Sequence, residues 1–77
     1  MTYCLTVEYP TSLYFSEDLD SDITAAVGVE SDGSGCGFGL RDLGFSFDSE
    51  ADAHAAAERA RQVHHQITAS YYAMDLA

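Results

Sequence analysis

The chain has 77 residues, enough for one domain spanning residues 1–77, and its 13 acidic residues face three arginines and no lysine, for a formal net charge of −10. That charge repels DNA, which carries about one negative charge per 1.7 Å of duplex, and it repels anionic membrane, so direct binding to either is excluded as a primary role. An apolar content of 47% belongs to a folded protein and not to a disordered acidic tail.

No apolar run approaches the length of a membrane span, and the start Met1-Thr2-Tyr3-Cys4 lacks the basic region of a secretory signal, so a cytoplasmic protein is expected. Cys4 and Cys36 are too few for a disulfide scaffold and read as reduced thiols.

Thr2 to Tyr9 alternates cleanly. Tyr3, Leu5, Val7 and Tyr9 point one way, and Thr2, Cys4, Thr6 and Glu8 the other, which is a half-buried strand closed by Pro10. Leu13-Tyr14-Phe15 is a short apolar patch, either folded over the core edge or exposed as a contact. Ser16 to Asp22 reads as an acidic, self-repelling loop. Ile23, Ala25, Val27 and Val29 then alternate with Thr24, Ala26, Gly28 and Glu30, predicting a second strand. Ser31 to Gly37 is glycine-rich and reads as a hairpin turn.

A third strand is expected from Phe38 to Phe47. Phe38 and Leu40 are out of phase by one residue with Leu43, Phe45 and Phe47. A one-residue slip would turn the later set to the wrong side, so either a β-bulge near Arg41-Asp42 or a tight turn over Arg41–Gly44 is required, the bulge being preferred. After Ser49 the period changes. Ala53, Ala56, Ala60, Val63, Ile67 and Tyr71 recur at steps of three and four, predicting a helix from about Glu50 to Tyr72, with Ala73–Ala77 frayed. Ser49 is placed to cap it by accepting the Asp52 N–H, and Glu50 and Asp52 complement the positive end of the helix dipole. The expected fold is α+β: a three-stranded antiparallel meander followed by one long C-terminal helix packed on one sheet face, β-β-β-α. Its uncovered face would carry Thr2, Cys4, Thr6, Glu8, Thr24, Ala26, Gly28, Glu30, Gly37, Gly39 and Arg41. Those small residues form either a solvated face or a surface on which another sheet could lie.

No residue pattern carries catalysis or a cofactor. Asp18-x-Asp20-x-Asp22 suggests calcium, but the EF-hand positions for glycine and glutamate hold Ile23 and Val29. The glycines at 33, 35, 37 and 39 lack the Gly-Lys-Ser/Thr ending of a phosphate loop and lead into a strand. His54, His64 and His65 contain no i, i+4 pair, and no metal site is assigned. Serine, histidine and aspartate are present without a nucleophile motif, so the chain reads as a non-enzyme with no cofactor.

Charge is what remains. Residues 1–52 hold 11 of the acids and only Arg41. The candidate partner-binding residues are Glu17, Asp18, Asp20, Asp22, Glu30 and Asp32, placed to pair with arginines and lysines. In an extended loop, alternate carboxylates of the Asp18/Asp20/Asp22 row would repeat at about 6.6 Å, close to two phosphate steps of about 3.4 Å.

This architecture, with the strand-to-helix junction Arg41-Asp42-Leu43-Gly44-Phe45-Ser46-Phe47-Asp48-Ser49, resembles small phage-encoded anti-CRISPR proteins, particularly inhibitors of type I surveillance complexes. The resemblance implies a DNA-mimicking inhibitor in the bacterial host cytoplasm. Its partner would be a protein with a basic surface, a CRISPR effector complex whose lysine- and arginine-lined channel it blocks. The alternative is a small homodimeric assembly or accessory module that pairs through the exposed sheet face.

Overall fold

The computed structural model describes residues 2–13 and 19–73. The elements run β1 (Tyr3–Pro10), a single 3-10 turn (Thr11–Leu13), α1 (Leu19–Val27), β2 (Gly33–Gly37), β3 (Leu40–Phe47), α2 (Glu50–Arg61) and β4 (Thr68–Ala73). Neighbouring strands are antiparallel in the order β2-β3-β1-β4, the split β-α-β plan taken twice. The α+β class is as expected. The three-stranded meander with one long helix is not: the described residues form four strands and two α-helices.

The first correction is α1, where a second strand was expected. Leu19, Ile23 and Val27 lie four residues apart and are buried, whereas Ala25 and Val29 of the supposed strand face are exposed. A period of two and a period of four share Leu19, Ile23 and Val27; Ser21, Ala25 and Val29, which only a strand would bury with them, are all exposed. Asp20 and Asp22 are first-turn residues of this helix, where its dipole favours negative charge. Gly28, at φ +90°, ends it and donates its N–H to the Thr24 carbonyl at 2.9 Å. Leu13's side chain, Tyr14, Phe15 and residues 16–18 lie outside the described set, so the apolar patch expected there is not placed.

The second correction concerns the hairpin. Gly33 to Gly37 is β2 itself, not the turn. The turn is Phe38-Gly39, two residues with φ of +54° and +80° joining Gly37 to its partner Leu40. Positive φ at both central positions is the type I′ pattern, which matches strand twist. With Phe38 in the turn and Leu40 on the open face, nothing is out of phase. β3 runs without interruption from Leu40 opposite Pro10 to Phe47 opposite Tyr3, so neither the bulge nor the tight turn over Arg41–Gly44 exists. Phenylalanine is an unfavourable residue at φ +54°, since a side chain in the left-handed region costs about 1–2 kcal/mol. Phe38→Asn, which supplies the Asn-Gly pair this turn prefers, is expected to raise stability by about 1 kcal/mol in urea unfolding.

The third correction is the length of the last helix. Ser49 caps α2 as expected, accepting the Asp52 N–H at 3.1 Å, but the helix closes at Arg61 and Gln62. The chain turns through Val63–Gln66, and Thr68–Ala73 returns as edge strand β4 beside β1. Ile67 and Tyr71, four apart, fit both periods, Ala69 fits only the strand, and the unpaired edge of β1 decides between them. A helix to Tyr72 would be about 34 Å long on a sheet about 27 Å deep, with its last turns over water.

Both helices contribute to one core on one sheet face. Leu5, Val7, Tyr9, Leu43, Phe45, Ile67 and Ala69 meet Leu19, Ile23 and Val27 of α1, together with Ala56, Ala57 and Ala60 of α2. The alanines let α2 lie close to the strands. Burying this apolar surface is the main stabilising force, at about 25 cal/mol per Å².

Candidate functional site

All three arginines hydrogen-bond within the chain; Arg41 is half-buried, and Arg59 and Arg61 are exposed. Arg41, on the helix-facing side of β3 opposite Tyr9, forms a two-pronged bond to Asp20, with Nε at 3.1 Å and Nη2 at 2.6 Å from Oδ2. Tyr9, only 1% exposed, donates its hydroxyl to the other oxygen, Oδ1, at 2.5 Å. Burial, then the Asp20 carboxylate, push the Tyr9 hydroxyl well above the usual phenol range. Partial burial pushes the Asp20 carboxyl up, but the hydrogen bonds from Arg41 and Tyr9 and the Arg41 charge outweigh it and hold the carboxyl below its ordinary value. The three groups clamp the start of α1 to the end of the sheet.

Arg59 reaches from α2 to the last carbonyls of α1, with Nε to Ala26 O at 2.7 Å and Nη2 to Val27 O at 2.9 Å. A cation at a helix C-terminus satisfies orphan carbonyls and opposes the dipole. Arg59→Ala is expected to cost about 1 kcal/mol, read as a drop in thermal midpoint of about 4–8 °C by circular dichroism. Arg61 bonds Glu58 at 2.7 Å and, through Nη2, the Ala69 carbonyl of the edge strand at 2.7 Å.

With the arginines held by internal hydrogen bonds, most exterior acids are left without a cation. Glu8, Asp22, Glu30, Asp42, Asp48, Glu50 and Asp52 make no ion pair with any described residue. The sequence-stated candidates divide. Asp22, Glu30 and Asp32 are exposed. Asp32 accepts the Ser46 hydroxyl, and its N–H donates to Gly44 O at 2.8 Å, which ties the α1–β2 loop to β3. Asp20 faces inward and is spent on Arg41. Glu17 and Asp18 lie outside the described residues. The extended carboxylate row does not form, because Asp20 and Asp22 sit on a helix and project in different directions.

The face of the sheet away from the helices carries a pair that sequence reasoning passed over. Glu8 stands directly opposite Asp42, with Thr68 on its other side and Gly35 beyond Asp42. Like charges directly opposite on a sheet are destabilising. A methyl group at Gly35 would come within 2.9 Å of Asp42 Oδ1, so the glycine leaves that carboxylate its place over β2. Strand alternation already turned Glu8 outward. Its pairing with Asp42 depends on the β1–β3 register, which no local pattern states. The expected membership of this face is corrected as well: Thr24, Ala26, Gly28 and Glu30 belong to α1 and its following loop, and Arg41 lies on the covered side. The face is built instead from Cys4, Thr6, Glu8, Leu40, Asp42, Gly44, Ser46, Thr68, Ser70 and Tyr72 beside the glycines of β2.

Among the described residues no group of three or more histidine, cysteine or carboxylate side chains could hold a metal ion, and no helix is long and apolar enough to cross a membrane. Comparison with known families, curated proteins and solved structures finds no match.

Proposed function

We propose that the protein is a non-enzymatic inhibitor that binds a basic, nucleic-acid-binding surface of a protein complex in the cytoplasm of a bacterial host. The observation that carries this reading is that every arginine is hydrogen-bonded within its own chain, beside at least seven carboxylates without an ion-pair partner among the described residues. Such an exterior attracts a lysine- and arginine-lined surface and speeds encounter with it. It also opposes the alternative, a homodimer through the open sheet face. Two copies stacked there would bring two Glu8–Asp42 pairs together and desolvate them, which costs several kcal/mol unless cations intervene.

A CRISPR effector complex, with its DNA channel lined by cationic side chains, is the partner class that the size and acidity suggest. The test is competition. Purified type I surveillance complexes are loaded with fluorescent target DNA, and the protein is titrated in at several salt concentrations. The expected result is displacement of DNA that weakens steeply as salt rises, with no binding of the protein to free DNA. DNA occupancy unchanged at saturating protein, across several such complexes, refutes the partner class.

A further inference from the structure

The open face is not uniformly polar. Where the β2–β3 hairpin meets the end of β1, Glu8, Cys36, Gly37, Phe38, Leu40 and Asp42 surround an open concavity of about 330 Å³. Phe38 is fully exposed, and Leu40 is 42% exposed. Phe38 also holds a left-handed backbone angle that asparagine or glycine would adopt without strain. A large ring kept in water, on a backbone that disfavours it, gives nothing to this fold that a smaller residue would not give better. It is positioned for something outside the molecule.

We propose that this concavity receives an arginine side chain of the partner protein. The inference rests on the binding role proposed above and names where on this chain the partner is gripped. Arginine fits the chemistry on each wall. Its three methylenes match Leu40 and Gly37, and its planar guanidinium stacks on an aromatic face such as that of Phe38. The head then lies among the Glu8 and Asp42 carboxylates, which accept two-pronged hydrogen bonds. A cation there also relieves the repulsion between the two facing acids. A second copy of this chain is a poorer source of the occupant, because each of its arginines would first give up hydrogen bonds within its own chain.

The experiment is a nitrogen-15 NMR titration of the full chain with the peptide acetyl-Gly-Arg-Gly-amide, and with its lysine and citrulline counterparts. The expected result is saturable shifts concentrated at residues 8 and 36–42. Binding should be at least fivefold weaker with lysine and lost with citrulline. Phe38→Asn, which keeps the hairpin folded, should reduce the arginine affinity at least fivefold, and Glu8→Gln with Asp42→Asn should abolish it. Shifts spread evenly over Asp22, Glu30, Asp48 and Glu50 would mean diffuse charge attraction and overturn the proposal. So would indifference to Phe38→Asn, or hairpin signals that move with protein concentration alone, which would mean self-association. Peptide binding without DNA displacement would refute the inhibitory role and leave the arginine site standing; displacement without focused shifts would do the reverse.

Discussion

Asp20→Ala is expected to destabilise the fold by about 2 kcal/mol, more than any other exterior substitution considered. The carboxylate accepts from Arg41 through two nitrogens and from the Tyr9 hydroxyl, and its removal leaves a guanidinium and a buried phenol without their acceptor. Breaking a fully buried ion pair costs about 3–5 kcal/mol. This pair is partly screened, with Arg41 18% and Asp20 28% exposed, so the cost falls below that range, to about 2 kcal/mol. A domain this small has roughly 3–5 kcal/mol to lose, so the thermal midpoint should fall by about 10 °C. The pH dependence has a definite sign. The Asp20 carboxyl titrates below its unfolded value, so its contribution is complete above about pH 4 and disappears as pH falls through the depressed folded value. Tyr9 acts in the opposite sense. Its raised hydroxyl contributes fully below about pH 10 and loses that contribution as pH climbs through the folded value. Thermal melts between pH 2 and 7 should therefore converge for wild type and Asp20→Ala at the acid end and separate toward neutrality. A constant gap across that range would show that Asp20 contributes by packing and not by charge.

Glu8→Gln with Asp42→Asn should weaken partner binding about a hundredfold while slightly raising the stability of the free protein. Truncating a hydrogen-bonded charge at an interface costs about 2 kcal/mol or more; the two carboxylates share one cation, so their losses overlap and come to about 2.7 kcal/mol together, the hundredfold stated. Relief of the facing carboxylates accounts for the gain in stability. The control removes the same charge elsewhere: Asp48→Asn with Glu50→Gln, at the start of α2. If bulk charge were the whole of the attraction, the two double variants would lose affinity equally. The expected outcome is a loss under fivefold for the control, mostly as slower association, and a loss that appears as faster dissociation for the sheet-face pair. Surface-plasmon kinetics against the captured partner complex separates the two.

Local chemistry alone announced β1 and the strand-to-helix junction. The alternation from Tyr3 to Tyr9 and the Ser49 cap depend on neighbours within a few residues, and both are found in the fold. The candidate site was legible only as charge. Asp22, Glu30 and Asp32 are exposed acids as expected, but Asp20 could not be separated from them by sequence. Its partner, Arg41, lies 21 residues away, and Tyr9 reaches it from a third element. By residue preference Phe38 reads as a strand residue, because its ring suits a strand. Its actual place in a two-residue turn contradicts residue preference, and such a disagreement is where function is worth seeking.

By itself the sequence determined an α+β chain with an acidic exterior, because the hydrophobic period and the ratio of acids to arginines are properties of short windows and of sums. The tertiary structure alone decided whether Ile23–Val27 and Ile67–Tyr71 became helix or strand. Each segment fits both periods, and the choice fell to what lay beside it: a core face to be covered in the first case, an unpaired edge of β1 in the second. The tertiary structure also decided which carboxylates stay on the exterior and which are paired within the chain. Register and helix docking turn Asp20 toward Arg41 and set Glu8 against Asp42, and those distances exist only after the chain has closed on itself.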